Sequence, residues 1–295
     1  MGGLNMAYLG VQPPANMIVF GGKPFKTIQK IETATNCYPG RLVIKGTNDD
    51  DVKVADGVGV PAGWLGYDQT DPESAPDNIT SIYTANAQAP VHFGPGFLRM
   101  PLGLAAKTIA VKNDFLLSWG DGQVVPCVKL GGRIAAKIPF SKSTSEVSTV
   151  TLPAGAVVRD VIIQAVTVAS GATIDVGTLS SASGDADGFL DGESLVTAGF
   201  VQHNAFDSTA ANNTVGDLLV ESDIVGDVAS GSFSIPTGYL VPAGGKVLTY
   251  TTSDHTVAGY IFVVVESPGI VPVGKALLSA NASSAAADVC LTSLI

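Results

Sequence analysis

Residues 133–140 read Arg-Ile-Ala-Ala-Lys-Ile-Pro-Phe, and they show the clearest alternation of apolar residues in the chain. Ile134, Ala136, Ile138 and Phe140 occupy every second position, so in an extended chain their side chains lie on one face. Strict alternation of this kind is typical of a β-strand with one buried face. We therefore expect a β-strand at residues 133–140.

Short apolar runs of strand length recur on the C-terminal side of this stretch. Runs rich in β-branched or aromatic residues lie at 157–163, 246–252 and 260–265. The chain also contains 34 glycines and 17 prolines, which favour turns between short strands. The pattern of a long amphipathic helix does not occur. The sequence therefore predicts an all-β fold closed as a sandwich or barrel.

A polar segment at residues 141–146 follows the strand at 133–140 and marks a predicted domain boundary. The chain has 295 residues, which is enough for about two domains. We expect an extended N-terminal arm, a small β-barrel or β-tulip-like domain, a jelly-roll-like β-sandwich domain and a C-terminal tail. Their predicted ranges are 1–24, 25–146, 147–270 and 271–295.

The charge content excludes several classes of partner. The chain has 26 acidic and 16 basic residues, a formal net charge of −10, and only 14% charged residues. Nucleic-acid binding requires clustered lysine and arginine, whereas the basic residues here are dispersed. No run approaches the roughly 20 apolar residues of a membrane-spanning helix. We therefore expect neither a nucleic acid nor a membrane as partner, and the low charge favours a protein held in an assembly.

The sequence contains no recognised catalytic motif. Neither a G-x-S-x-G elbow nor an H-E-x-x-H pair occurs. The three cysteines, Cys37, Cys127 and Cys290, are odd in number and lack C-x-x-C spacing, which argues against a disulfide framework or a zinc site. We expect buried thiols, no catalytic residues, no required cofactor and no enzymatic activity.

One acidic loop is the candidate for an ion site. Asp185, Asp187, Asp191 and Glu193 could supply oxygen ligands to Ca²⁺. Their spacing differs from that of the EF-hand loop, and aspartate with glycine also favours ordinary turns. Two interpretations therefore stay open, a calcium site and a solvated turn.

A series of motifs in the first half gives a resemblance to a known family. The motifs are, in order, IETAT at 31–35, PGRLV at 39–43, DVKVADG at 51–57, GWLGY at 63–67 and VKNDFL at 111–116. Their order and spacing resemble the capsid cement, or decoration, proteins of tailed bacteriophages and archaeal tailed viruses. The resemblance covers about residues 25–140.

The resemblance implies a non-enzymatic virion protein on the outer capsid surface. Its implied partners are the major capsid protein and further copies of itself, often as a homotrimer. The candidate residues for capsid or subunit contact are Pro13, Pro14, Trp64 and Tyr67. Large aromatic side chains also fill small β-cores, so a core position for Trp64 and Tyr67 stays open as well.

The second half has a looser resemblance. Segments 152–177 and 184–193 resemble a β-sandwich module that recurs in virion proteins, which implies a domain projecting outward from the shell. An alternative function is that of a spike, fibre or glycan-binding receptor component. The aromatic residues that could serve it are Phe189, Phe200, Phe206 and Tyr239.

Overall fold

The computed structural model describes most of the chain as β-structure. The described residues are 18–22, 25–67, 81–94, 96–101, 103–130, 132–201, 218–219, 238–276, 279–281 and 288–292. Within these ranges the helical elements are two 3₁₀ turns, Gly120–Gly122 and Ser180–Ala182. The prediction of an all-β fold is confirmed.

The described residues form 22 strands. The first eleven, in chain order, are β1 Ile18–Gly22, β2 Phe25–Ile31, β3 Leu42–Lys45, β4 Asp51–Val54, β5 Gly63–Leu65, β6 Gln88–Phe93, β7 Gly96–Pro101, β8 Ile109–Ala110, β9 Phe115–Ser118, β10 Val124–Leu130 and β11 Arg133–Ser141. The others are β12 Val147–Leu152, β13 Val157–Thr167, β14 Thr173–Thr178, β15 Leu190–Ser194, β16 Gly199–Val201, β17 Tyr239–Leu240, β18 Lys246–Thr252, β19 Ala258–Glu266, β20 Pro272–Lys275, β21 Ala280–Asn281 and β22 Asp288–Thr292.

Strands β2 to β6 form a closed five-stranded barrel in the order β2-β4-β3-β5-β6. β2 pairs antiparallel with β6, whereas β2 and β4 are parallel. Side chains alternate across each strand, so every second residue points into the barrel. The interior is filled by Ile31, Cys37, Val43, Val52, Leu65, Tyr83, Ala87, Ala89 and Val91. The predicted N-terminal barrel is therefore present.

The later strands form two sheets packed face to face. One sheet has eight strands in the order β16-β13-β19-β11-β10-β9-β20, with β17 also paired to β13. The other has four strands in the order β12-β18-β14-β15. Apolar side chains from both sheets share one core, among them Ile138, Val161, Ile163 and Val263 from the larger sheet and Leu152, Ile174, Val176 and Leu248 from the smaller. The predicted β-sandwich follows the barrel.

The polar segment at 141–146 lies inside the sandwich. It connects β11, in the large sheet, with β12, in the small sheet. β11 itself pairs with β19 over seven residues, from Ala135 opposite Val264 to Ser141 opposite Ala258. The sandwich thus takes in strands on both sides of the boundary predicted after residue 146. A polar crossing between sheets has the same composition as an interdomain linker, which is why the sequence suggested a boundary there.

The barrel and the sandwich are joined by a buried apolar junction. Its members are Leu42, Ile44, Ala55 and Trp64 from the barrel, and Leu104, Ala110, Leu116, Val124, Val273 and Ala276 from the sandwich side. Two hydrogen bonds to backbone carbonyls reinforce this junction. The Gly122 N–H donates to the Ala55 carbonyl at 2.7 Å, and the Ser267 hydroxyl donates to the Gly57 carbonyl at 2.7 Å. The two parts therefore share a core.

Segments from both ends of the sequence also form strands. β1, from the predicted arm, and β22, from the predicted tail, pair antiparallel with the two edges of β7. Also from the predicted tail, β20 joins the edge of the large sheet through β9, and β21 pairs with β8. Parts of both segments are thus integrated with the fold.

Candidate interaction site at the open end of the barrel

The barrel wall is incomplete beside β2. β6 accompanies β2 from Phe25 to Lys30, but β4 pairs with β2 only at Lys30 and Ile31. Among the described residues, the part of β2 before Lys30 therefore has a strand on one side only. This end of the barrel, defined here by Phe25, Ile28 and Phe93, is called the open end.

Large apolar side chains are exposed at the open end. Phe25 is 61% exposed and Ile28 is 52% exposed. The rings of Phe25 and Phe93 stack with their centroids 5.7 Å apart, which fixes the orientation of the exposed ring. A large apolar side chain exposed beside an incomplete strand pairing is typical of a contact surface.

A pocket of about 280 Å³ lies in the gap between β2 and the β3–β4 hairpin. Thr27 and Gln29 line it from β2, and Phe93 lines it from β6. Lys45 and Asp49 form the opposite wall. The pocket thus combines an aromatic surface, neutral hydrogen-bonding groups and a charged rim, a combination suited to binding.

The carboxylates of the hairpin wall are already paired. Asp49 lies 2.6 Å from Lys45 Nζ, and this hydrogen bond together with the lysine charge lowers the pKa of Asp49. Asp51 accepts from Asn48 Nδ2 at 2.6 Å and lies 3.0 Å from Lys30 Nζ, and these bonds lower the pKa of Asp51. Both groups are ionised near neutral pH, so they provide charge for recognition and are poorly suited to act as general acids.

The tip of the β3–β4 hairpin is fixed by a side chain from the end of β2. Glu32 accepts from the Thr47 N–H at 2.6 Å and from the Thr47 hydroxyl at 2.9 Å. Hydrogen bonds to a charged acceptor are stronger than those between neutral groups. The pocket wall is therefore preorganised, and less ordering is needed when a partner binds.

The residues predicted to contact a capsid are placed differently. Trp64 is 1% exposed and belongs to the junction core, and Tyr67 is 8% exposed. Neither ring reaches the surface, so Trp64 and Tyr67 are both core residues. The prediction that they contact a capsid or another subunit is therefore wrong for these two side chains. Pro13 and Pro14 lie outside the described residues.

The structure brings only some of the acidic side chains of the predicted ion-binding loop close to one another. Asp187 and Asp191 lie close enough to Asp175 to act on its charge, whereas Glu193 is buried and accepts from the Ser194 N–H at 3.2 Å. No group of three or more His, Cys, Asp or Glu side chains is arranged to hold a metal ion in the part of the chain that the structure describes. The geometry therefore favours the turn interpretation over the calcium site for Asp185, Asp187, Asp191 and Glu193.

Asp175 gives a test of this loop. Burial raises the pKa of Asp175, the Gly192 N–H donating at 2.8 Å opposes this, and the charges of Asp191 and Asp187 raise it further. A raised pKa in the folded state means that ionisation above that pKa opposes folding. We expect Asp175→Asn, which keeps the acceptor for Gly192, to raise the melting temperature at pH 7.

The gain should shrink as the pH falls through the raised folded-state pKa of Asp175, and it should be lost below the ordinary aspartate pKa of about 3.9, where the wild-type carboxyl is protonated in both states. Thermal unfolding with and without Ca²⁺ at pH 7 and at low pH measures this. If Ca²⁺ stabilises the wild type and Asp175→Asn removes that effect, the loop is an ion site and the turn interpretation is wrong.

The thiols of the described part are buried, as expected. Cys37 and Cys127 are unpaired and inaccessible. Burial raises the pKa of Cys37 to about 11 and that of Cys127 to about 12. Because the thiolate is the reactive form, neither cysteine is suited to be a nucleophile or a metal ligand.

The sequence contained one signal for the open end that the prediction missed. Ile28 lies between Lys26 and Lys30, and all three share the outward-facing side of β2 by alternation. An isoleucine between two lysines on the solvent side of a strand is a candidate contact residue. The exposure of Phe25, by contrast, follows from the point at which β4 begins to pair with β2, and the sequence does not reveal that point.

Comparison with models of protein families, with curated proteins and with solved structures finds no match for this chain. No helix of the described residues is long and apolar enough to cross a membrane.

Proposed function

We propose that this protein is a capsid decoration protein, a structural virion component that binds the outer surface of a tailed-virus shell and stabilises it. The observation that carries the proposal is the open end of the barrel, where Phe25 is exposed and stacks on Phe93, a residue that lines the preorganised pocket, and where Ile28 is exposed on the outer face of the same strand. The motif order over residues 25–140 supports the same class of protein.

The architecture fits a contact role. The barrel packs on the sandwich through Leu42, Ile44 and Trp64, so the open end at β2 and β6 stays outside the junction. Burying an exposed phenylalanine or isoleucine side chain contributes about 1.5–3 kcal/mol. A rigid connection to the sandwich spares the ordering cost that a flexible contact would carry.

Shell binding would be strengthened by repetition. A capsid presents the same site many times, and a symmetric homo-oligomer such as a trimer engages several sites at once. Linked weak contacts then give high overall affinity without any single strong contact. In this arrangement the major capsid protein is the partner, and the protein lies on the outer capsid surface with the sandwich projecting outward.

Phe25→Asp should reduce binding to shells. The substitution places a charge where an apolar ring would be desolvated, and we expect each contact to weaken at least about tenfold, equivalent to 1.4 kcal/mol. Cosedimentation of the full-length variant with purified shells measures the effect. Val166→Asp is the matched control, because Val166 is 58% exposed and lies on the sandwich. Equal loss in both variants, or unchanged binding of Phe25→Asp, contradicts docking through the open end.

One observation favours the alternative of a glycan-binding spike or fibre component. On the large sheet the rings of Phe200 and Phe262 lie 5.7 Å apart, the rings of Phe262 and Tyr260 lie 6.3 Å apart, and Phe200 is exposed. Exposed aromatic faces suit stacking on sugars. Of the other aromatic candidates, Phe189 is buried and packs against Tyr239, and Phe206 lies outside the described residues. Copy number separates the functions, since decoration requires one set of copies per repeating lattice site.

A further inference from the structure

One edge of the sandwich is basic, although the chain as a whole is acidic. Residues 107–142, which include β8 to β11, contain six basic residues and only two acidic ones. Residues 143–295 contain three basic and fifteen acidic residues. The basic residues of the first segment lie apart in the sequence, but the fold brings some of them together at the edge of the large sheet formed by β9 and β20.

Lysine side chains surround an exposed ring beside the turn between β8 and β9. Lys275 lies opposite Phe115 in the pairing of β20 with β9, and its Nζ is 5.8 Å from the centroid of the Phe115 ring. Phe115 lies opposite Cys127 of β10, and Lys129, two positions after Cys127, is therefore on the same face. Lys112 lies in the turn itself. Lys112, Phe115, Lys129 and Lys275 are called the basic corner.

The basic corner is accessible and its charge is not neutralised by nearby carboxylates. Lys112 and Lys129 are exposed, and Phe115 is 46% exposed. None of the ion pairs within the described part of the chain includes a lysine of the corner. Asp114, next to Phe115 in sequence, lies 3.6 Å from Lys137 instead. Positive charge around an exposed apolar ring indicates a contact surface for an acidic partner.

The small sheet carries an acidic surface of matching size. Asp187 and Asp191 are exposed, and their charges act on the half-buried Asp175 of β14. The ion pairs among described residues include none of these three aspartates. Asp175, Asp187 and Asp191 are called the acidic edge. Three aspartates here and three lysines at the basic corner are complementary in charge.

Contacts between the two sheets place these surfaces at opposite edges of the sandwich. Trp119, directly after β9, donates its indole N–H to the Thr151 carbonyl of β12 at 2.7 Å. Phe189, directly before β15, packs against Tyr239 of β17 with the ring centroids 5.5 Å apart. β12 and β15 are the two outer strands of the small sheet. The basic corner and the acidic edge therefore cannot meet within one molecule, whereas those of two copies can.

We propose that the basic corner of one copy binds the acidic edge of a second copy, so that copies associate head to tail through their sandwiches. A contact between two unlike surfaces repeats from copy to copy until a ring closes. Charge complementarity selects the partner and its orientation, and Phe115 adds apolar area to the contact. The inference goes beyond the proposed function, because it concerns contacts between copies and does not involve the open end of the barrel.

Charge reversals on the two surfaces test this contact. Lys129→Glu alters the basic corner and Asp191→Lys alters the acidic edge. Lys53→Glu, on β4 of the barrel, is the matched control, because it changes the net charge as Lys129→Glu does. Sedimentation of the full-length chain at low salt should show association for wild type and Lys53→Glu, and at least about tenfold weaker association for Lys129→Glu and for Asp191→Lys. Salt at about 1 M, where the screening length is about 3 Å, should weaken wild-type association similarly.

Mixing the two reversed variants tests which surfaces pair. Asp191→Lys keeps an intact basic corner and Lys129→Glu keeps an intact acidic edge, so their mixture should associate although neither does alone. Circular dichroism of each variant checks that the fold is kept. The proposal is overturned if the wild type is monomeric at low salt, if Lys129→Glu associates as the wild type does, or if the mixture fails to associate. None of these measurements involves a shell, so a failure of shell binding would be a separate result.

Discussion

Trp64→Ala is expected to lower the free energy of unfolding by about 3–5 kcal/mol, the usual cost of removing a buried large aromatic side chain. The indole is 1% exposed and packs in the junction between barrel and sandwich. The remaining cavity would lie in the cluster that contains Leu42 and Leu116, which come from the two sides of the junction. We therefore expect the barrel and the sandwich to lose stability together, in one transition.

Chemical denaturation followed by tryptophan fluorescence and by far-ultraviolet circular dichroism measures this effect. Phe115→Ala is the control, since Phe115 is exposed on β9 and its removal should cost little. A loss below about 1 kcal/mol for Trp64→Ala would contradict a buried junction, because such values are typical of surface substitutions. Two separated transitions in the wild type would contradict the shared core.

Gly269→Ala should also be strongly destabilising, because backbone atoms surround this residue. A Cβ at Gly269 would lie 2.6 Å from the Gly57 carbonyl carbon and 2.6 Å from the Gly59 carbonyl oxygen. Gly57 is itself held at a positive φ of 84°, so the loop it belongs to cannot easily move away. Ser118 further fixes this point by donating its hydroxyl hydrogen to the Gly269 carbonyl. Forcing a methyl group into such a contact costs about 1–3 kcal/mol or more.

Gly120→Ala provides the control for Gly269→Ala within the same junction. Its nearest neighbour would be the Pro153 side chain at 3.7 Å, an ordinary van der Waals distance. Thermal unfolding should therefore show a clearly larger drop for Gly269→Ala. Equal melting temperatures for the two variants would mean that the close approach of the Gly57 loop to Gly269 is not present in solution.

The strands were largely predictable, whereas their partners were not. Alternation at 133–140 identifies a strand and its buried face, because that information is local. One of the two partners of this strand, β19, lies more than 100 positions along the chain, and a two-residue period says nothing about which strand lies beside it. For this reason the predicted N-terminal domain included residues 115–141, although their strands belong to the large sheet of the sandwich.

The candidate site was less predictable than the fold. Trp64 and Phe25 are both large and apolar, and their neighbours in sequence do not distinguish a junction core from an exposed end. What separates them is the placement of other elements. The sandwich covers β5, whereas β4 begins only opposite Lys30 and leaves the earlier part of β2 without a partner strand on that side among the described residues. The acidic loop was visible as a pattern, but turn geometry and ion binding favour the same residue types.

The proposed binding of this protein to a viral shell should stabilise the shell against heat. The temperature at which purified shells rupture can be measured with and without the full-length protein at saturating concentration. Because a ligand that binds only the intact state stabilises it by mass action, we expect a higher rupture temperature with wild type and Val166→Asp, and a much smaller rise with Phe25→Asp. An unchanged rupture temperature, with no protein retained on the shells, would contradict it.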